Sequence, residues 1–439
     1  MFMVRLAKSV WILISPFVKT RQIGGVRRVL MRDNAIRSFI FLFVAVVPAF
    51  SIAAEGDLGA GEYKFDWEVG TQVRLFAEDA SYGQSRSDIS VRAQAEFYYQ
   101  WNDGMDSIEF IPWFVIDKED AERTHGDIQD LAWIHVGDDW ELRTGIRKVF
   151  WGVTESRHLV DVINQTDGVE DFDGEDKLGQ QMINLSLVKD WGIIDIFVLP
   201  GFRERTFVES ASRLRGEYLV DNDDISYQSS AKDNHVDLAL RWAHTIGDFD
   251  IGSYWFHGTN RDPILSPTFE EDNIVLKQYY NQMDQFGIDV QATIDDWLYK
   301  VETIVRHTDE DNFWAIQAGF EYTYIGIFES NADLGLLLEY GWDSRGETSE
   351  TKQGAQNQND LFFGSRIAFN DAQSSEMLMG FGADLDHNAV SFILEANRRF
   401  GDNIKVSVDV RFMQSSNKYD ALYSIKEDDH IQFGVEWYF

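Results

Sequence analysis

Three groups of residues in this 439-residue chain have the types and spacing to do chemistry. The run Asp171-Phe172-Asp173-Gly174-Glu175-Asp176 gathers carboxylates of the kind a hard cation takes, and Asp171, Asp173 and Glu175 are its candidate calcium ligands. An EF-hand would place Gly where Asp176 stands and Glu where Met182 stands, so a solvated acidic surface competes with that reading. Glu155, Ser156 and His158 bring a carboxylate, a hydroxyl and an imidazole into one short stretch, as a hydrolase would use. A triad is set by geometry rather than adjacency, however, and no nucleophile-elbow pattern is present. The nine histidines show no His-Glu-x-x-His or other close metal spacing, and the absence of cysteine removes thiolate, Fe–S and disulfide chemistry. The expectation is a non-enzyme with no cofactor, no catalytic residue and no metal beyond the weak calcium candidate.

What must position these residues follows from composition. Acidic side chains outnumber basic ones 74 to 39, a formal charge of −35, which argues against nucleic acid as a partner because phosphate binding needs clustered Lys and Arg. An aromatic content of 14% is too rich for a disordered acidic chain. Residues 1–53 stand apart, with eight basic residues against the single acid Asp33. From Met31, Arg32 and Arg37 precede the apolar run Phe39 to Val47 and a small-residue site at Ser51-Ile52-Ala53. This reads as an export leader with a secretory signal cleaved near Ala53. Its apolar runs fall short of the roughly 18 residues that span a bilayer.

Residues 54–439 alternate apolar and polar residues with period 2. Ile431, Phe433, Val435, Trp437 and Phe439 fall on one face of the last segment. Ile404, Val406, Val408, Val410 and Phe412 oppose Lys405, Ser407, Asp409 and Arg411. About eighteen such segments can be counted, the first near 63–77, the tenth at 278–294 and the last at 428–439, with sixteen as the alternative. Odd connections are variable and often long, including Phe150 to Leu178, Arg203 to Lys232 and Arg261 to Lys277. Even ones are tight turns such as Asp138-Asp139, Gly247 and Asp295-Asp296. That parity is expected of an all-β transmembrane antiparallel barrel, with short periplasmic turns and long extracellular loops, and not of a sandwich. Trp101, Trp140, Trp191, Trp297, Trp437 and Phe439, all beside tight turns or the chain end, would form one interfacial girdle.

On these residues the chain resembles the porin-like outer-membrane proteins of Gram-negative bacteria across nearly all of 55–439. The terminal Val435-Glu436-Trp437-Tyr438-Phe439 is similar to the signal read by the barrel-assembly machinery. Gly145 to Gly152, with Trp151-Gly152, followed by Asn164 and Asp167, looks like a Trp-Gly box of poorly characterised outer-membrane families. The resemblance implies passage of small hydrophilic solutes through a porin or substrate-specific channel. It also implies partners in outer-membrane lipid, lipopolysaccharide and the assembly machinery. A non-transport barrel, either a surface hydrolase or a structural or adhesive protein, is the alternative.

The third outer loop, 150–178, lies where classical porins fold a segment into the lumen. Its Glu155, Asp161 and Asp167 would then face a wall of Arg74, Arg92, Arg143 and Arg147 across water, forming a charged constriction that also includes Arg157. A solvated surface loop is the competing reading.

Overall fold

The computed structural model describes residues 18–23, 26–31, 54–58, 61–270, 273–346, 355 and 358–439; of the export leader read at 1–53, with its signal from Met31, residues 1–17, 24–25 and 32–53 lie outside them. Val18–Ile23 pairs antiparallel with Val26–Met31 as a unit of its own. The barrel strands are β1 (Gly61–Phe76), β2 (Ser87–Trp101), β3 (Asp106–Asp117), β4 (Gly126–Val136), β5 (Trp140–Arg147) and β6 (Gln180–Lys189). Then come β7 (Gly192–Pro200), β8 (Val236–Ile246), β9 (Phe249–Thr259), β10 (Gln282–Ile294), β11 (Trp297–Thr308) and β12 (Asn312–Tyr324). The last six are β13 (Asp333–Asp343), β14 (Asn359–Ala368), β15 (Glu376–Asp384), β16 (Val390–Phe400), β17 (Ile404–Gln414) and β18 (His430–Tyr438).

Each strand pairs antiparallel with its chain neighbour, and β18 closes on β1 from His430↔Phe76 to Tyr438↔Glu68. Closure leaves no unpaired backbone edge toward lipid. The short segment Ala54–Leu58 folds back on the start of β1. Pro112, which has no N–H for the ladder, sits at the one register shift between β3 and β4. The two-residue turns read as expected: Gly247 (φ 63°) and Asp295 (φ 53°) take the left-handed conformation that such hairpins require.

The alternation is inside-out relative to a water-soluble sheet. On β11, Tyr299, Val301 and Val305 are exposed, while Lys300, Glu302 and Arg306 are buried. On β8, Val236, Leu238 and Leu240 are exposed while Asp237 and Arg241 are buried. Apolar groups therefore face outward as a lipid-facing band would, and charges point into the lumen. Arg241 pairs with Asp289 in two bonds of 2.7 Å, in space that a Cβ at Gly252 would fill. Val408 lies mid-strand in the outward row of β17, so Val408→Arg should cost about 2–4 kcal/mol of folding stability in lipid vesicles. An unchanged denaturation midpoint would invert the face assignment.

Two features depart from the sequence reading. The tenth strand begins at Gln282 rather than 278, because the chain leaves the barrel at Asn281, held by Asn260 through side chain (3.0 Å) and backbone (2.9 Å). The expected loops 203–232 and 261–277 also contain strands of their own. Leu219–Tyr227 runs parallel to Asn273–Tyr280, which pairs with Ile264–Glu270 in a separate three-stranded sheet. Connections 309–311 and 385–389, on the long-loop side, are as short as turns.

Candidate functional site

Loop 148–179, between β5 and β6, runs into the barrel. Its anchor is Glu302 on the inner face of β11, fully buried, whose carboxylate accepts from the backbone N–H of Val153 (2.7 Å), Thr154 (3.0 Å), Leu159 (2.7 Å) and Val160 (3.2 Å). The hydroxyl of Thr154 donates a fifth bond at 2.7 Å. A second wall carboxylate, Glu339 on β13, accepts from the N–H of Glu155 (2.8 Å) and from the N–H and hydroxyl of Ser156 (2.9 and 2.7 Å). Loop amides that would otherwise be orphaned in the lumen are thus satisfied by wall carboxylates. Apolar packing adds to this: Trp151 lies against Phe197 and Tyr254, and Leu159, Val160, Val162 and Ile163 join Phe256, Ile304 and Phe313 in one buried cluster.

The Trp-Gly segment is tied to Asp161 and Asn164, whereas Asp167 lies apart from it. Asp161 accepts from the N–H of Trp151 (2.7 Å) and Gly152 (3.1 Å). Asn164 accepts from Val149 N–H (2.8 Å) and donates to the carbonyls of Arg147 (2.9 Å) and Leu178 (2.8 Å), tying the two loop ends together. Asp161 and Asp167 therefore do not face an arginine wall. Asp167 meets His125 Nε2 at 2.9 Å, and His125 Nδ1 meets the Arg123 carbonyl at 2.9 Å. Burial disfavours charge on that imidazole, yet acceptors at both nitrogens hold its pKa above the ordinary value.

The expected wall divides. Arg74 donates to the Glu170 carbonyl (3.2 Å) and stands 3.5 Å from Asp171, and Arg92 pairs with Glu170. Arg143 instead binds Glu141, Asn184 and Ser186, and Arg147 faces Asp130 at 3.7 Å, so neither reaches a loop carboxylate. Glu155 meets Arg366 (2.6 Å) and Lys300 (4.0 Å) across the lumen, and Arg157 meets Asp343 at 3.3 Å. Two contributors went unread at their roles. Arg123, in the irregular connection 118–125, carries no strand alternation to place it, yet it pairs with Asp117 (2.6 Å) and approaches Glu170 (3.6 Å). Arg411 reaches Asp173 at 3.5 Å.

Each calcium candidate has a basic partner instead: Asp171 faces Arg74, Asp173 faces Arg411, and Glu175 faces His158 at 3.1 Å. Burial, then Asp171, pushes the Asp173 carboxyl up to about 7. Ser156 and His158 do not pair either, since the hydroxyl is engaged with Glu339 and Gln317. Burial opposes charge on His158, but Glu175 and Glu302 outweigh it and raise its pKa to about 10. That contribution to loop anchoring is complete below the ordinary histidine value near 6.5 and is lost as pH rises through about 10. Protease sensitivity of the loop should be flat below about pH 6.5, rise progressively between 6.5 and 10 and level off above 10; sensitivity unchanged across that window would contradict the assignment.

Above this floor lies a roof. Loop 201–235 sends Arg213 across to the β18–β1 seam, where it binds Asp428 (2.7 Å) and the carbonyls of Glu427 (2.7 Å) and Glu78 (3.2 Å) and stacks on Phe76 (4.4 Å). Between roof and floor is a cavity of about 1210 Å³. It is lined by Arg74, Arg123, Arg205, Lys300, Arg366 and Arg411 together with Glu155, Asp171, Asp173 and Glu395.

The girdle residues sit at the tight-turn rim: Trp191, Trp297 and Trp437 are exposed, Trp101 stacks on Tyr99, Trp140 packs on His135, and Phe439 follows the end of β18.

A closed eighteen-stranded antiparallel barrel with charges inside and apolar side chains outside has the fold of outer-membrane β-barrels. Pseudomonas aeruginosa OccK11 (OpdR) matches it with a TM-score of 0.51 at 8% identity, over 88% of this chain and 98% of that one. Escherichia coli Wzi, an outer-membrane protein of group 1 capsule assembly described as a carbohydrate-binding β-barrel, matches with a TM-score of 0.50 at 9% identity, over 85% and 83%. The trimer form of OmpT, an outer-membrane protein of Vibrio cholerae, is a looser match at 0.43, with 10% identity over 87% and 100%. No family model and no curated protein matches the chain, so these likenesses speak for the fold alone.

Proposed function

We propose that this chain is an outer-membrane porin or substrate-specific channel through which small hydrophilic solutes diffuse. The observation that carries the reading is the cavity of about 1210 Å³ with fixed charges of both signs around it, held between an inward loop and a roof. Walls of opposed charge at a narrow point select solutes by charge and dipole and need no catalytic group. Location in the outer membrane of a Gram-negative bacterium, insertion by the barrel-assembly machinery and contact with lipopolysaccharide belong to the same proposal.

The charges at the floor set the expected preference. Replacing Arg74 and Arg411 with Gln should shift the reversal potential in a salt gradient toward cations, and Glu155→Gln should shift it toward anions. Both shifts should fade in molar salt, where the Debye length is about 3 Å. Unmoved reversal potentials in all three would place these groups off the solute path.

One observation favours the alternative, a barrel that does not transport. The apolar cluster around Trp151 and Ile163 packs the loop against the wall from β6 to β12, so part of the lumen is filled with side chains. A binding barrel would hold its ligand in the same cavity and pass no current.

A further inference from the structure

The outer ends of β14, β15 and β17 carry a buried group of polar side chains that the channel reading does not use. Asp384 ends β15, His387 lies in connection 385–389, Asp420 lies in connection 415–429, and Gln358 precedes β14. All four are less than a tenth exposed. Each aspartate commits one oxygen to backbone: Asp384 Oδ1 accepts from the amides of Asp386 and His387, both at 2.8 Å, and Asp420 Oδ1 accepts from Leu422 at 2.8 Å. Their other oxygens turn to one ring nitrogen, with His387 Nδ1 standing 3.0 Å from Asp384 Oδ2 and 3.8 Å from Asp420 Oδ2.

The fourth member crowds a further polar atom into the same spot. The Gln358 amide nitrogen is 2.8 Å from Asp384 Oδ2 and 2.9 Å from His387 Nδ1. If Nδ1 carries a proton, it donates to Asp384 but opposes the amide N–H. If it carries none, it accepts from Gln358 but sets its lone pair against a carboxylate oxygen at 3.0 Å. The Asp384 and Asp420 carboxyl groups are also within hydrogen-bonding reach of one another, Ser415 bonds Asp420, and His387 pairs with both aspartates. A cation would satisfy all of these atoms at once, because each could then point a lone pair at it. The amide joins by exchanging its oxygen and nitrogen ends, an orientation assigned from hydrogen bonding rather than from atom identity.

Donor type and spacing narrow the ion. The two carboxylate oxygens and the imidazole nitrogen lie within 4.8 Å of one another, and tetrahedral ligands at zinc distances are roughly 3.3 Å apart. Calcium and magnesium favour six or more oxygens, whereas imidazole with carboxylate suits zinc. We propose that Asp384, His387, Asp420 and the Gln358 amide oxygen form a binding site for one divalent ion of the zinc class. The ion would tie connections 385–389 and 415–429 to the start of β14, fixing that side of the cavity rim. The sequence signal is Asp384-x-x-His387, which a search for paired histidines passes over, and Asp420 joins only through the fold.

The test is calorimetric titration of zinc alone into the full-length barrel, folded in detergent, freed of metal by chelator and purified without a polyhistidine tag. One equivalent should bind to the parent protein. His387→Ala and Asp420→Asn should each lose it while keeping heat-modifiable mobility, and Gln358→Ala should weaken it by about 10–100-fold. Binding to the parent should also protect connection 415–429 from protease. The absence of one-equivalent binding to the folded parent overturns the proposal without any variant. So does binding unaltered in both His387→Ala and Asp420→Asn, or a site filled by calcium but not by zinc.

Discussion

Glu302→Ala is expected to release the inward loop while leaving the barrel intact. The carboxylate accepts five bonds from Val153, Thr154, Leu159 and Val160, and its loss strands those donors in a place that water reaches poorly. It also leaves His158 with Glu175 as its remaining carboxylate partner. Breaking a buried charged network of this kind costs about 3–5 kcal/mol, well beyond the usual effect of a surface substitution. The wall strands are held by ladder bonds that do not involve this side chain, so the loss should appear as local opening rather than unfolding. Heat-modifiable mobility should persist, the loop should become protease-sensitive, and single-channel conductance should rise several-fold. Glu302→Gln should fall between, since its amide oxygen keeps part of the acceptor set. A variant with parental conductance and protease resistance would mean that the Trp151 cluster, and not the carboxylate, holds the floor.

Arg213→Ala should act on the roof in a comparable way. The guanidinium is buried and serves Asp428, three backbone carbonyls and the face of Phe76, so its removal leaves Asp428 buried without its pairing cation. The expected cost is again about 3–5 kcal/mol, confined to loop 201–235 because that loop meets the β18–β1 seam through this contact, the Gln84 bonds to Ser210 and Ser212 and Arg215 stacked on Tyr82. A cysteine introduced at Ser424, which lines the cavity, should react with a bulky thiol reagent much faster in Arg213→Ala than in the parent. Equal rates would show that the roof does not depend on this anchor.

The barrel was legible in the sequence because its signals are local. Alternation such as Val236, Leu238 and Leu240 against Asp237 and Arg241 names the face of every residue in a strand, and turns such as Gly247-Asp248 mark one rim without reference to the rest of the chain. The tenth strand shows the limit of that signal. Alternation continues through Tyr279 and Tyr280, and only the pairing of Asn281 with Asn260 on another strand end stops the barrel there.

Site partners were legible only where a strand fixed them. Arg74 and Arg92 lie on strands whose alternation turns them toward the loop, but the carboxylates they meet are Glu170 and Asp171, not Asp161 and Asp167. Residues in a loop have no period to orient them, so the roles of Asp161, Asp167, Arg123 and Arg213 come from contacts made across tens to hundreds of positions. Glu302 was visible as one more inward acid among several. Nothing in its neighbourhood in sequence distinguishes an anchor for a loop 150 residues away.

Single-channel recording in planar bilayers bears most directly on the reading as a channel. The detergent-folded, heat-modifiable parent protein, added to a bilayer under an applied voltage, should give uniform stepwise increments of current, each larger in Glu302→Ala than in the parent. Insertion of the same folded protein with no current steps, in the parent and in the variant alike, would contradict the channel and leave a closed binding barrel in its place.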